Sequence, residues 1–345
     1  MTSRERVIKA ITFDKPDRVP VSCWLSPLLY EKYGAKLAEI QSRYPDDMFS
    51  PINELVQEQL SQQGEYTDEW NCVWENLGAG GIGIVRVHPI QNYDQLRDYT
   101  VPDPFTHPLY DILVNAAKAL ILEHRGEERF VIGVHLPYFE RLQWLRGYEN
   151  LMIDLIEQPE GLGILMQKVL DYNMRAIEMI LDEFGNEIDA IGLQDDWGTQ
   201  TQLMINPKIW RDLFKPAYER MIAIIKEADK FVDFHSDGYV IDIIPDLIEV
   251  GVDVLNVQLP AMGMETLSKQ FRGLVCFRSD LDRQHTLPRG TTGEVREHVK
   301  NVIRSFATSD GGLIGGADVG IDVPLENVET IYKTFYEYGR YPLQI

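Results

Sequence analysis

The sequence predicts an α/β protein built as a (β/α)8 TIM barrel, on two observations. Between residues 189 and 323, short apolar runs alternate with amphipathic stretches, and each run stops in acidic or amide residues. Buried parallel strands read as near-continuous hydrophobic runs, and their alternation with helical segments indicates βαβ units. The runs are Ala190–Asp196, Lys230–Asp237, Val252–Gln258, Leu274–Asp282 and Gly312–Asp318. Because barrel enzymes build their sites at the carboxyl ends of the strands, these polar tips predict one shared mouth.

The N-terminal third supplies the first elements and an insertion. Residues 2–12 have helical spacing, and residues 19–25 form an apolar run that predicts the first strand. The pattern then loosens, and two segments, 68–74 and 81–88, read as antiparallel strands around a glycine-rich turn. We therefore expect an N-terminal β-hairpin excursion from the barrel.

The following segments return to the βα rhythm. Residues 108–123 are helical, 130–136 form a strand, and 139–183 are helical with a break at Gln158-Pro159. Helix starts are predicted at Thr2 or Ser3, Asn206-Pro207, Thr292 and Pro324, which are capping residues or prolines suited to a first turn.

The composition favours one domain over residues 1–345 and excludes some partners. Lys and Arg total 33 against 54 Asp and Glu, and a net charge of -21 repels nucleic acids and anionic membranes. No apolar stretch has the length of a signal peptide core or a membrane span. Three irregularly spaced cysteines indicate free thiols, so we expect a cytoplasmic protein, with a homodimer left open.

Three stretches of the chain resemble the uroporphyrinogen decarboxylase superfamily. That superfamily includes the haem-pathway decarboxylase and the corrinoid-linked methyltransferases of anaerobic one-carbon metabolism. The resemblance implies the same barrel that the strand rhythm predicts. It rests on residues 4–21, on the stretch from Pro207-x-x-Trp210 and Phe214-x-Pro216 through His235-x-Asp237-Gly238 to Leu247–Asp253, and on residues 320–328.

The chain departs from the decarboxylase branch where that branch holds its substrate. Residues 22–27 contain none of the arginines expected after the first strand, Pro51 replaces the aspartate of a Ser-Asp-Ile motif, and Val319 replaces a histidine. Arginine is suited to bidentate carboxylate recognition. A mouth lined with aspartates therefore disfavours a porphyrinogen that carries eight carboxylates.

The methyltransferase branch typically carries a zinc site of one histidine and two cysteines, and this chain keeps part of it. His235 is retained, Asp237 replaces the first cysteine and Val319 the second. Zinc also accepts carboxylate oxygen, and a catalytic site needs only three protein ligands. The resemblance thus implies a divalent metal, zinc or a harder ion, on His235, Asp237 and a third ligand from Asp196, Asp280 or Asp318, with a corrinoid or a corrinoid protein as co-substrate.

The strand tips themselves predict the site residues. Strand alternation points one of Asp195 and Asp196 into the barrel, and the i, i+2 spacing of His235 and Asp237 places both on one wall, fit for a metal or a proton relay. We assign Asp196, His235 and Asp237 as catalytic. The predicted substrate-binding residues are Asp195, Trp197, Gln200, His135, Tyr138, Gln258, Asp280, Asp282 and Asp318.

Each assignment has a structural alternative. A lone histidine in a strand is often a satisfied core residue, one aspartate of a pair can cap a helix, Arg278 could pair with Asp280 or Asp282, and Arg141 could pair with Glu140.

Three functions remain open. The leading hypothesis is a methyltransferase that moves a methyl group between a small methylated, non-thiol substrate and a corrinoid. A second is a decarboxylase or lyase on a smaller carboxylic acid, with Asp196 as the proton donor. The third is a ligand-binding barrel without catalysis.

Overall fold

The computed structural model describes residues 1–51, 63–78, 83–106, 110–125 and 128–345. The strands are β1 Trp24–Leu25, β2 Met48–Phe49, β3 Gly64–Thr67, β4 Val73–Asn76, β5 Ile84–Val87, β6 Phe130–Pro137, β7 Ala190–Gln194, β8 Phe231–Ser236, β9 Val254–Gln258, β10 Cys276–Asp280, β11 Leu313–Ile314 and β12 Asp318–Val319.

The helices surround these strands or cover one end of them. They are α1 Ser3–Ile11, α2 Pro27–Tyr33, α3 Ala35–Arg43, α4 Tyr110–Arg125, α5 Phe139–Arg146, α6 Tyr148–Glu157, α7 Glu160–Phe184, α8 Pro207–Leu213, α9 Lys215–Glu227, α10 Ile244–Glu249, α11 Leu259–Met262, α12 Met264–Phe271, α13 Thr286–Arg289, α14 Thr292–Phe306 and α15 Leu325–Tyr338, with short 3-10 turns at Tyr93–Arg97 and Pro104–Thr106.

The strands close into the predicted barrel. Seven of them form a parallel sheet in the order β11-β10-β9-β8-β7-β6-β2. The segment that leads into β1 fills the gap: the Asp47 amide donates to the Val21 carbonyl at 2.7 Å, and the Gly315 amide donates to the Pro20 carbonyl at 2.7 Å. Beyond it, β1 pairs in parallel with β12. Because β11 and β12 are pieces of one strand position, eight positions complete the barrel.

The insertion is larger than the predicted hairpin. It is a three-stranded antiparallel sheet, β3-β4-β5, and residues 68–71 form a turn instead of the start of a strand. The reason is local: the Asp68 carboxylate accepts bonds from the amides of Trp70 and Cys72, which favours a turn over a ladder. Residues 79–82, most of the predicted glycine-rich turn, lie outside the described part.

Arg141 on α5 attaches this sheet to the barrel. Its guanidinium donates to Asp68 at 3.0 Å and lies 4.6 Å from the centroid of the Trp144 ring. The pairing of Arg141 with Glu140 considered from the sequence is therefore wrong, because the guanidinium points toward the insertion.

The helix boundaries follow most of the predicted signals. The predicted break is found at Gln158, in a left-handed conformation with φ of 50°, and a second break occurs at Gly147. Asn206 caps α8 through a bond from the Lys208 amide. The cap of α14 is Thr291, one residue before the predicted position, because it forms a reciprocal pair of bonds with Glu294.

An apolar plug closes the amino-terminal end of the barrel. Helix α1 starts at the predicted cap Thr2 and sends Val7 and Ile11 against the ends of the strands. The other members of this buried cluster are Met48, Phe130, Ile132, Ala190, Val254, Cys276 and Ile314. The interior is thus apolar at one end and polar at the other.

The three cysteines agree with the expectation from their spacing. All three cysteines are free thiols, with Cys72 and Cys276 buried. Across the described ranges, no helix combines the length and the apolar character that a bilayer crossing needs.

Two glycines join the loops that follow β7 and β8. The Gly198 amide donates to the Asp237 carbonyl at 3.1 Å, and the Tyr239 amide donates to the Thr199 carbonyl at 2.8 Å. Gly238 has φ of +78°, and a Cβ added there would lie 2.3 Å from the Gly198 oxygen. The close approach therefore needs glycine, and it fixes the carboxyl ends of two neighbouring strands relative to each other.

We expect Gly238→Ala to lower the free energy of unfolding by about 2 kcal/mol or more, because it adds both a backbone clash and an unfavourable φ. The control is Gly163→Ala, since a Cβ on this exposed helical glycine meets nothing within 4 Å. That variant should gain roughly 0.5–1 kcal/mol from helix propensity. Urea unfolding measures both, and equal stabilities for the two variants would contradict the account of the loop contact.

Candidate active site at the barrel mouth

The two adjacent aspartates after β7 face opposite sides, as alternation predicts. Asp195 points to the helix layer and is completely buried. It accepts bonds from the amides of Tyr138 (3.1 Å) and Glu140 (2.8 Å) and from the Tyr218 hydroxyl (2.5 Å). Burial raises the pKa of Asp195 to about 7 against the effect of these bonds. The prediction that it binds substrate is wrong, because it ties α5 and α9 to the barrel.

Trp197 and Tyr138 belong to the same packed layer. The Trp197 ring is fully buried, stacks on Phe139 with centroids 3.9 Å apart, and donates to the Tyr218 hydroxyl at 3.1 Å. Tyr138 is 2% exposed and donates to the Met166 carbonyl on α7. Neither side chain reaches the mouth, so their predicted substrate contacts are also wrong.

Asp196, His235 and Asp237 come together inside the mouth. The His235 Nε2 lies 3.7 Å from Asp196 Oδ1 and 3.8 Å from Asp237 Oδ1, and the three side chains remain between 25% and 38% exposed. The Asp237 amide donates to Asp196 Oδ1 at 2.9 Å, which fixes the first carboxylate. Asp237 Oδ1 is buried and has no hydrogen-bond partner among the described residues. Three donor atoms therefore face a common space.

Arg283 is a central site residue that the sequence analysis missed. Its guanidinium donates to Asp237 Oδ2 and Asp318 Oδ2, and its Nε lies 3.9 Å from Asp280 Oδ2. Arg283 comes three residues after the end of β10 and directly follows the acidic tip Asp280-Leu281-Asp282. That placement was the available signal, since a ring of carboxylates needs positive charge.

The Asp280 and Asp318 carboxyls titrate above their ordinary range. Burial raises the pKa of Asp280 to about 7, with Arg283 opposing and the charges of Asp318 and Asp237 adding. Burial also raises the pKa of Asp318, and Arg283 opposes that shift. The Asp318 amide donates to Asp280 at 3.2 Å. The predicted convergence of these two residues on the mouth agrees with their shared contact to Arg283.

Two further carboxyl groups at the mouth have raised pKa values. Burial raises the pKa of Asp196, where the charge of His235 opposes the shift and that of Asp237 adds to it. Glu140, at the start of α5, was not identified from the sequence; burial and then the charge of Asp196 raise its pKa well above the usual range. The mouth therefore gathers carboxyl groups whose pKa values lie above the ordinary range, as is typical of functional sites.

One layer below, Asp233 joins a buried ion network. It accepts bonds from Arg278 Nε at 3.0 Å and lies 3.2 Å from His135 Nε2. Burial alone would raise the pKa of Asp233, but the charge of Arg278 and the His135 bond hold it below the ordinary value. Arg278 thus pairs with Asp233 and not with Asp280 or Asp282. His135 lies beneath the mouth, and its contact with substrate stays a prediction.

The remaining predicted residues divide between structural and rim positions. Asp282 accepts bonds from the Thr286 hydroxyl (2.8 Å) and the Thr286 and His285 amides, so it caps α13 and its predicted substrate contact is wrong. Gln258 accepts a bond from the Gly238 amide at 3.1 Å. Gln200 is exposed on the rim, where its substrate contact stays a prediction.

The donor set of this cluster fits a divalent cation. His235, Asp196 and Asp237 offer one imidazole nitrogen and two carboxylate oxygens, all within 4.8 Å of one another. Zinc takes these ligand types with three protein donors in catalytic sites, and the oxygen share also suits harder ions. Of the three alternatives for the third ligand, the geometry favours Asp196, because Asp280 and Asp318 turn toward Arg283.

Comparison with known families gives one match. The model of the uroporphyrinogen decarboxylase (URO-D) family matches residues 76–338, about three quarters of the chain. No curated protein matches the chain at a significant level of sequence similarity.

Among solved structures, a methyltransferase from Methanosarcina mazei superposes with a TM-score of 0.72 at 15% identity, covering 98% of this chain and 99% of that one. An endo-β-1,4-xylanase from Gloeophyllum trabeum gives a TM-score of 0.44 at 12% identity, with 92% and 96% covered. A putative vitamin-B12 independent methionine synthase from Listeria monocytogenes gives a TM-score of 0.45 at 13% identity, covering 93% of this chain and 94% of that one. At 15% identity, the similarity to the Methanosarcina mazei methyltransferase shows a shared fold and nothing more.

We expect Asp280 to make stability pH-dependent. Its folded pKa of about 7 exceeds the unfolded value of about 3.9, so its stabilising contribution is complete below pH 4 and is lost as the pH rises through 7. Asp280→Asn cannot ionise and should lack this loss, up to about 1.4 kcal/mol per pH unit. Urea unfolding between pH 4.5 and 8 measures the difference. The exposed Asp322→Asn is the control, and parallel profiles for wild type and Asp280→Asn would refute the expectation.

Proposed function

This chain belongs to the uroporphyrinogen decarboxylase family, and from that premise we propose that it is a methyltransferase acting between a small methylated substrate and a corrinoid, free or protein-bound. The observation that carries the proposal is the cluster of His235, Asp196 and Asp237, in which Asp237 Oδ1 has no hydrogen-bond partner within the described ranges. The fold shared with a methyltransferase supports it. A polyanionic porphyrinogen is disfavoured, because the mouth presents carboxylates.

The residues of the cluster have distinct proposed roles. Nε2 of His235 and the Oδ1 atoms of Asp196 and Asp237 would hold a divalent ion. When bound, that ion supplies Lewis-acid stabilisation of negative charge on the substrate heteroatom. Arg283 holds the opposite oxygen of Asp237, so the carboxylate keeps one oxygen directed at the cluster.

The transfer itself requires one proton. The bond between the substrate heteroatom and its methyl carbon breaks with the electron pair staying on the heteroatom, and the methyl carbon forms a new bond with the electron pair of a reduced Co(I) corrinoid. The heteroatom then takes up a proton. Glu140 is the proposed source of this proton, because burial and the charge of Asp196 raise its pKa well above the usual range. Asp196, the acid predicted from the sequence, has this role when no ion engages it.

The substrate should be small and carry little negative charge. Asp196, Asp237, Asp280 and Asp318 line the mouth, and the cations beside them are Arg283 and, when protonated, His235. Gln258 and the rim residue Gln200 remain the candidates for orienting the substrate through neutral hydrogen bonds.

The metal role is tested by equilibrating purified protein with Zn²⁺, Mn²⁺ or Co²⁺, removing free ion and measuring bound metal. We expect about one ion per chain in the wild type and a loss of at least tenfold in affinity for His235→Ala, because one of three ligands is removed. His285→Ala is the matched control, since His285 is exposed and outside the cluster. If the wild-type protein retained no metal above background, the proposed metal role would be wrong.

Methyl transfer is tested by the absorbance change between Co(I) corrinoid and its methylated form, with a panel of O-methyl, N-methyl and S-methyl compounds. We expect Asp196→Asn to slow an active reaction by about 10²-fold or more, as for loss of an acid or ligand group. Asp282→Asn, which alters only a helix cap, should stay near wild type.

Other outcomes would favour the alternatives. Production of coproporphyrinogen from uroporphyrinogen would establish decarboxylation, with Asp196 as the proposed proton donor. A flat response across the panel, together with a wild-type phenotype for Asp196→Asn, would indicate a non-catalytic ligand-binding barrel.

A further inference from the structure

Asn256 holds the His235 ring from the neighbouring strand. The two residues are paired in register between β8 and β9, and Asn256 is 8% exposed. Its Oδ1 lies 2.7 Å from His235 Nδ1, and its Nδ2 donates to the Arg278 carbonyl on β10 at 3.0 Å. The amide thus links three adjacent strands directly below the acidic cluster.

These two bonds fix the proton on the His235 ring. A backbone carbonyl only accepts, so the amide nitrogen of Asn256 must face Arg278 and the amide oxygen must face His235. An amide oxygen also only accepts, so Nδ1 must carry a proton. A neutral imidazole has one such proton, which leaves the lone pair on Nε2. That lone pair faces the carboxylates of Asp196 and Asp237 at 3.7 and 3.8 Å.

Arg278 in turn is held by the layer beneath. Its side chain donates to Asp233, which lies two residues before His235 on β8. The bonds therefore form a closed circuit from His235 through Asn256 and Arg278 to Asp233 and back along β8. This network restricts rotation of the amide, which is bonded at both ends, and of the ring, which is bonded at Nδ1.

We propose that Asn256 is a positioning residue that locks His235 in the Nδ1–H tautomer and presents Nε2 as a metal ligand. The proposal deepens the proposed function and rests on its metal site. A lone pair directed at two anionic oxygens is unfavourable alone and favourable around a cation, so the arrangement is preorganised for one. Outer partners of this kind typically change metal affinity 10–100-fold.

Two variants separate positioning from simple packing. Asn256→Asp keeps an acceptor for Nδ1–H and loses the bond to Arg278; Asn256→Leu loses both. We expect Zn²⁺ affinity, measured against a competing chelator, to fall 10–100-fold in Asn256→Leu and to stay within a few-fold of wild type in Asn256→Asp. An equal loss in both variants would overturn the proposal, because it would reflect the shared lost bond.

Asn327→Asp is the matched control for burying a carboxylate. Asn327 is 1% exposed on α15 and donates to the Leu287 and Gly290 carbonyls, away from the cluster. Its variant should leave Zn²⁺ affinity unchanged. A loss equal to that of Asn256→Leu would show that general destabilisation, and not ring positioning, changes the affinity.

Nitrogen-15 NMR of the histidine rings in metal-free wild type tests the tautomer without any metal. At a pH where the ring is neutral, we expect the His235 resonances, identified by their loss in His235→Ala, to show a protonated Nδ1 and an unprotonated Nε2. The reverse tautomer would overturn the proposal even if Asn256→Leu does not fold. Wild type that binds no metal but shows this tautomer would remove the proposed metal site while leaving the locking by Asn256 intact.

Discussion

The constraint that governs this structure is the repulsion among carboxylates at the carboxyl ends of its strands. Two unit charges 4 Å apart interact by about 4 kcal/mol at the effective dielectric of a protein surface, so a cluster of aspartates needs cations or protons. Arg283 neutralises one side of the cluster through Asp237 and Asp318. On the other side, Asp237 Oδ1 lies beside His235 and has no hydrogen-bond partner in the part of the chain that the structure describes. Protonation of carboxyl groups with raised pKa values and binding of the proposed metal ion would each reduce this excess of negative charge.

The barrel separates structural from chemical carboxylates by strand alternation. Asp195 and Asp196 are neighbours in sequence, yet one is saturated by bonds from α5 and α9 and the other faces the mouth. In the same way, Asp233 and His235 both lie on the inner face of β8. Asp233 lies deeper in the barrel and is paired with Arg278 and His135. The lower layer therefore serves as a rigid base for the upper one.

The sequence alone predicted the barrel and the convergence of Asp196, His235 and Asp237, because period-two alternation and parallel register determine where strand tips point. It failed once the chain left the strands: Trp197 turns into the helix layer, and Asp282 caps a short helix. Arg283, Glu140 and Asn256 were missed for a related reason. Their importance depends on contacts between different elements, and only Arg283 had a local signal, its position directly after an acidic strand tip.

The apolar plug formed by α1 has a kinetic consequence. In the described part of the chain, Val7 and Ile11 close one end of the barrel, so the open doorway lies at the carboxyl ends of the strands, and a ligand enters and leaves there. A protein partner that docked over this doorway would trap whatever lay inside. Turnover would then follow a compulsory sequence in which the small molecule arrives before the larger partner and departs after it.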